Sequence, residues 1–69
     1  MKKEVVKLTI GEKLKMLRGK KSQKEVAKDL KITQSALGNY ETDLRVPRDE
    51  VKIRIANYYG VSVEEIFFS

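Results

Sequence analysis

Three hydroxyl residues in this chain are each followed, three positions later, by a glutamate: Thr9 and Glu12, Ser22 and Glu25, Ser62 and Glu65. In a capping box the hydroxyl accepts a bond from the third helical amide, and the carboxylate accepts one from the cap amide. Each pair opens a run of apolar residues at helical spacing, so local chemistry alone marks three helix starts. At 69 residues the chain has room for one small all-α domain. Residues 9–69 are read as that domain. Residues 1–8, with Val5, Val6 and Leu8, are read as an N-terminal arm, a short strand or a frayed end.

The first helix is predicted from about Ile10 to Arg18, burying Ile10, Leu14 and Leu17, with Gly19 as its exit. The second begins after Ser22 and buries Val26, Ala27 and Leu30. After a break at Lys31 and Ile32, Thr33 caps a third helix from about Gln34 to Glu41, with Leu37 and Tyr40 inward. A loop from Thr42 to Arg48 holds Pro47. Asp49 is a candidate cap for a fourth helix whose inward side is Ile53, Ile55, Ala56 and Tyr59. Gly60 supplies a left-handed stop, and Ser62 starts a short fifth helix carrying Ile66 and Phe67.

Composition narrows the function. Cysteine and histidine are both absent, which removes thiolate chemistry, the commonest general base and the commonest metal ligand. No nucleophile–base pair is readable, so the chain is not expected to be an enzyme or to hold a metal or cofactor. No apolar stretch approaches the roughly 20 residues of a membrane span, and no signal-peptide region is visible. The lack of cysteine fits a reducing, cytoplasmic setting. Charge is the positive clue. Fifteen Lys and Arg against ten Asp and Glu give +5 overall. Residues 1–41 carry eleven basic and five acidic groups, whereas residues 42–69 carry four and five. Basic charge confined to one part of a small domain points to an anionic partner.

The segment from Gln23 to Thr42 joins two short helices through only about three residues, which forces a steep crossing. Ala27 supplies the small residue at the approach. The second helix then stands proud of the domain, with Gln34, Ser35, Gly38 and Asn39 on its outer face. A helix so exposed fits the major groove of B-DNA.

The ordered set Ser22-Gln23-Lys24-Glu25-Val26-Ala27, Ile32-Thr33-Gln34-Ser35-Ala36-Leu37, Tyr40-Glu41, Ile55-Ala56 and Tyr59 to Phe67 resembles the Cro and lambda-repressor type helix-turn-helix domain, also called the xenobiotic-response-element family. The resemblance implies a compact five-helix domain with its helix-turn-helix at helices 2 and 3. It also implies binding to double-stranded operator DNA, usually as a homodimer. Three positions depart from the family pattern. Lys31 stands where the turn usually has glycine, the Arg18–Ser22 connection is two residues shorter, and Asp43 replaces a frequent glycine.

In this family Gln34, Ser35 and Asn39 occupy positions that face base edges, and Gln and Asn can pair bidentately with adenine. Gly38 is unusual in mid-helix, and either admits close approach of a thymine methyl or backbone or is merely tolerated. Gln23 and Thr33 lie at helix N-termini, where free amides favour a phosphate. The resemblance adds that Gln23 braces Gln34. Lys21 and Lys24 lie near the expected DNA side, and Arg45 and Arg48 flank the loop beyond the third helix; all four are candidate phosphate contacts. The family pattern makes Arg18 and Glu41 an internal ion pair. Phe68, at the aromatic end of the chain, is either a dimer contact or a loose terminal side chain.

The leading expectation is therefore a sequence-specific transcriptional regulator, a repressor that reads the major groove with helix 3. The rival from another class is an interaction protein with a toxin or regulatory protein as partner. A peripheral membrane or RNA binder is disfavoured, because the basic face is not matched by a continuous apolar one.

Overall fold

The computed structural model describes residues 8–68; the arm or strand expected for residues 1–8 lies almost wholly outside them. Four α-helices follow one another: α1 Ile10–Arg18, α2 Gln23–Leu30, α3 Gln34–Glu41 and α4 Asp49–Tyr59. A fifth helical segment, Glu64–Phe68 (α5), is wound as a π-helix. No strand occurs among the described residues.

Hydroxyl caps start three of the four α-helices. Thr9 Oγ1 accepts from the Glu12 amide at 3.1 Å, and Glu12 Oε1 accepts from the Thr9 amide at 2.9 Å. Ser62 and Glu65 make the same reciprocal pair, at 3.0 and 2.9 Å. At α2 only half of the box forms: Ser22 Oγ accepts from the Glu25 amide at 3.0 Å, with no return bond to the Glu25 carboxylate. Thr33 caps α3 through the Ala36 amide at 2.9 Å. The fourth start differs from expectation. Arg48, not Asp49, sits at the cap position and makes no side-chain cap bond. Asp49 is the first helical residue, so its charge, with that of Glu50, complements the helix dipole instead of capping an amide.

Helix exits set the crossing angles. Lys31 adopts the left-handed conformation, φ 61° and ψ 42°, and closes α2. The Ile32 amide then reaches back to the Ala27 carbonyl at 3.0 Å, a Schellman closure. Arg54 Nη1, from α4, donates to the Leu30 carbonyl at 2.8 Å and satisfies another end group of α2. Gly60 closes α4 the same way, with Val61 bonded to Ala56 at 3.0 Å.

The buried apolar centre is Leu14, Val26, Ala27, Leu30, Leu37, Ile55, Ala56, Ile66 and Phe67. It draws on all five helical segments, and α3 packs against both α1 and α2. Ile53 is a correction: it is 53% exposed rather than inward. Successive helical residues turn by about 100°, so Ile53 and Ile55 point roughly 200° apart and only one of them can face the core. The inward stripe of α4 runs through Val51, Ile55, Ala56 and Tyr59.

A lysine in the left-handed region carries a Cβ clash that glycine avoids. Lys31→Gly is therefore expected to stabilise the domain by about 1 kcal/mol, read as a raised urea midpoint at unchanged m-value. An unchanged or lowered midpoint would show that the Lys31 side chain contributes more than its backbone costs.

Candidate nucleic-acid interface

The placement of α3 begins with a buried charge. Glu41, the last residue of α3, has a fully buried side chain. Arg18 Nε, at the end of α1, donates to Glu41 Oε2 at 2.7 Å, and Arg18 Nη2 donates to Oε1 at 3.0 Å. Gln23 Nε2, at the start of α2, also donates to Oε1, at 2.9 Å. Arg18 Nη1 donates to the Lys21 carbonyl at 2.7 Å, fixing the short connection between α1 and α2. Four donor contacts thus tie three helices and one loop at a single point. Tyr59 borders the cluster, and its buried hydroxyl has no hydrogen-bond partner among the described residues. Burial first, and then the negative charge of Glu41, push its pKa up to about 12.

The backbone beside Glu41 is clamped as well. A Cβ at Gly11 would stand 2.3 Å from the Glu41 carbonyl oxygen, so the N-terminal turn of α1 lies directly against the end of α3. The Gly11 amide donates to Asp43 Oδ1 at 2.9 Å, an α1 amide satisfied from 32 residues away. Asp43 itself has φ 64°, a conformation that aspartate tolerates better than most residues. Hydrogen bonds from the Thr9 hydroxyl and then the Gly11 amide hold its carboxyl below the usual aspartate range. Neither Gly11 nor Asp43 was singled out by the sequence as structural in this way. The available signal was a glycine inside an amphipathic helix, which costs about 1 kcal/mol against alanine and so calls for a packing or functional reason.

With its inner side so anchored, α3 turns Leu37 and Glu41 inward and leaves Gln34 and Ser35 exposed. Gly38 and Asn39 are half-buried on the same helix. The side chains of Gln34, Ser35 and Asn39 make no hydrogen bond to the rest of the protein among the described residues. The Leu44 and Arg45 amides both donate to the Asn39 carbonyl, at 2.9 and 3.2 Å, which folds the following loop back onto the end of α3. That brings the exposed Arg45 next to the helix.

The other sequence-derived candidates divide. Thr33 serves as the α3 cap, and Lys24, Arg45 and Arg48 are exposed. Gln23 makes no hydrogen bond to Gln34; its amide braces Glu41 and lies beside Gly38 instead. Lys21 is drawn toward α4. Its Nζ donates to the Tyr58 hydroxyl at 3.2 Å and sits 5.2 Å from that ring centre, while Tyr58 donates to Asp29 at 2.7 Å. No cluster of potential metal ligands occurs among the described residues, and none of their helices is long and apolar enough to cross a membrane.

A helix-turn-helix family model matches residues 13–66, a span that includes α2, the three-residue turn and α3. The chain belongs to the Cro/C1-type helix-turn-helix family. Within that family a similar protein is the HTH-type transcriptional regulator ImmR of Bacillus subtilis (strain 168), 37% identical over 59 residues. The match covers 83% of this chain and 46% of ImmR, so the chain spans about half the length of that relative. Helix-turn-helix domains of this type are DNA-binding domains.

Removing one partner of a buried ion pair strands the other charge. Glu41→Ala is expected to cost about 3–5 kcal/mol in denaturant unfolding. A double-mutant cycle with Arg18→Ala should show strong coupling, and additive losses would contradict the pairing. Asp43 gives a pH test. Its lowered folded-state pKa contributes stability above the ordinary aspartate range, and that contribution is lost as pH falls through the lowered value. The stability gap between the parent and Asp43→Asn should therefore be widest near neutrality and close on acidification; a gap independent of pH would contradict the assignment.

Proposed function

We propose that this chain is a sequence-specific regulator that binds double-stranded operator DNA and represses transcription by occupying the site. In this reading α3 lies in the major groove. Gln34 and Asn39 contact base edges through their carboxamides, and Ser35 through its hydroxyl. The observation that carries the reading is the state of those three groups. They lie on one short helix whose opposite side is anchored in the core, and their side chains make no hydrogen bond among the described residues. Phosphate contacts come from Thr33 and the amides at the α3 N-terminus, from Lys24, and from Arg45 and Arg48 beside the loop. Lys21 joins them by leaving Tyr58. Gln23 contributes through the exposed start of α2 while its amide stays on Glu41.

Two copies would read half-sites about 34 Å apart on one side of the duplex. The exposed apolar side chains of Leu44, Val46, Ile53 and Phe68 supply surface for contact between copies. The reading places the protein in the cytoplasm with the DNA it binds.

Selection from random duplexes, followed by measurement on the winning sequence, tests the reading. Affinity should fall steeply with salt, with a log–log slope of about −0.9 per phosphate contacted. Gln34→Ala should relax preference at one base pair, losing about 1–3 kcal/mol of discrimination there. Lys24→Ala should weaken all sequences alike. A parent protein with no preference among duplexes at low salt would overturn the proposal.

A further inference from the structure

Gly38 stands within the face assigned to DNA, and the fold gives no reason for it to be glycine. Its backbone is not in the left-handed region, since the positive-φ glycines are Gly19 and Gly60. Among the described residues a Cβ placed on it would meet only the Gln23 carboxamide, with Nε2 at 3.8 Å and Oε1 at 3.9 Å, which are ordinary contact distances. Gly11 is the contrast, because there a Cβ would drive into backbone at 2.3 Å. A helix-interior glycine is less stable than alanine because more backbone freedom is lost on folding. The fold alone would thus favour alanine at this position, and the reason for the bare backbone lies outside the chain.

The missing side chain leaves a shallow notch one turn beyond Gln34 and Ser35. Gln23 forms its wall, and the wall is held in place because Gln23 Nε2 is bonded to the buried Glu41 at 2.9 Å. The floor is the Gly38 α-carbon. The Gly38 carbonyl already accepts twice, from the Thr42 amide at 3.1 Å and from the Thr42 hydroxyl at 2.8 Å. The floor therefore presents C–H surface rather than an open acceptor, beside the Gln23 carboxamide. The group in the major groove that matches a small recess with a C–H floor is the 5-methyl of thymine, the one apolar substituent displayed there.

We propose that Gly38 is a specificity-determining position whose bare backbone receives a thymine 5-methyl group. The inference rests on the DNA-reading role of α3 proposed above and adds the recognised group. Gly38→Ala should raise Tm by about 4–8 °C, as expected when a helix-interior glycine is replaced in a domain of this size. The same substitution should weaken binding to the selected duplex by about tenfold. Replacing thymine by uracil, one position at a time, should cost the parent about fourfold at one position, the value of one lost methyl contact. Gly38→Ala should show no thymine–uracil difference at that position. A variant that binds as tightly as the parent would overturn the notch while leaving the DNA-reading role standing. So would a variant with the parent's uracil response, or one with a lowered Tm, which would mean that the fold itself requires glycine. A parent that shows no sequence preference would overturn both.

Discussion

The orientation of α3 depends on the carboxylate of Glu41, which is closed off from water and held by Arg18 and Gln23. A buried carboxylate is tolerable only when its oxygens are satisfied by strong donors. Here the donors come from the end of α1 and the start of α2, so satisfying the charge also fixes the relative positions of three helices. Hydrophobic packing by Leu14, Val26, Leu30, Leu37 and Ile55 favours collapse but is not directional. The ion pair and its hydrogen bonds supply the direction. The main chain completes the clamp, with Gly11 against the Glu41 carbonyl and its amide on Asp43.

That division of labour explains why so small a domain can present an uncommitted polar face. The charged and hydrogen-bonding groups that organise the fold lie on the inner side and at the ends of α3. The side chains of Gln34, Ser35 and Asn39 are then without hydrogen-bond partners among the described residues. The loop that follows is tied to the Asn39 carbonyl, so Arg45 is delivered to the edge of the same helix by backbone bonds rather than by chance.

Much of this was legible in the sequence because it is local. The bounds of α1 and α3, the caps at Thr9, Ser22, Thr33 and Ser62, and the stop at Gly60 all follow from residues within a few positions of one another. The misreadings come from longer range or from competing local choices. Ile53 is apolar and so reads as inward, but the helical turn lets only one of Ile53 and Ile55 reach the core. Asp49 has the chemistry of a cap, yet α4 begins so that Arg48 occupies that position. Gln23 looked toward Gln34 by family pattern, whereas a fully buried carboxylate is the stronger acceptor. The link between Gly11 and Asp43 spans 32 residues, and no local pattern encodes it. For the site, the family pattern and the helical register named the exposed residues of α3, but the anchoring of Lys21 on Tyr58 could be seen only once α4 was in place.

The central claim is that the outer side of α3, held out by Glu41, is where this chain meets a duplex. Backbone amide chemical shifts recorded while the selected duplex is titrated into the labelled protein test it most directly. The account predicts the largest changes from Thr33 to Asn39, with further changes at the start of α2 and at Arg45, and little change in the buried stretch around Ile55. Changes concentrated on α4 and α5, with α3 unmoved, would contradict it.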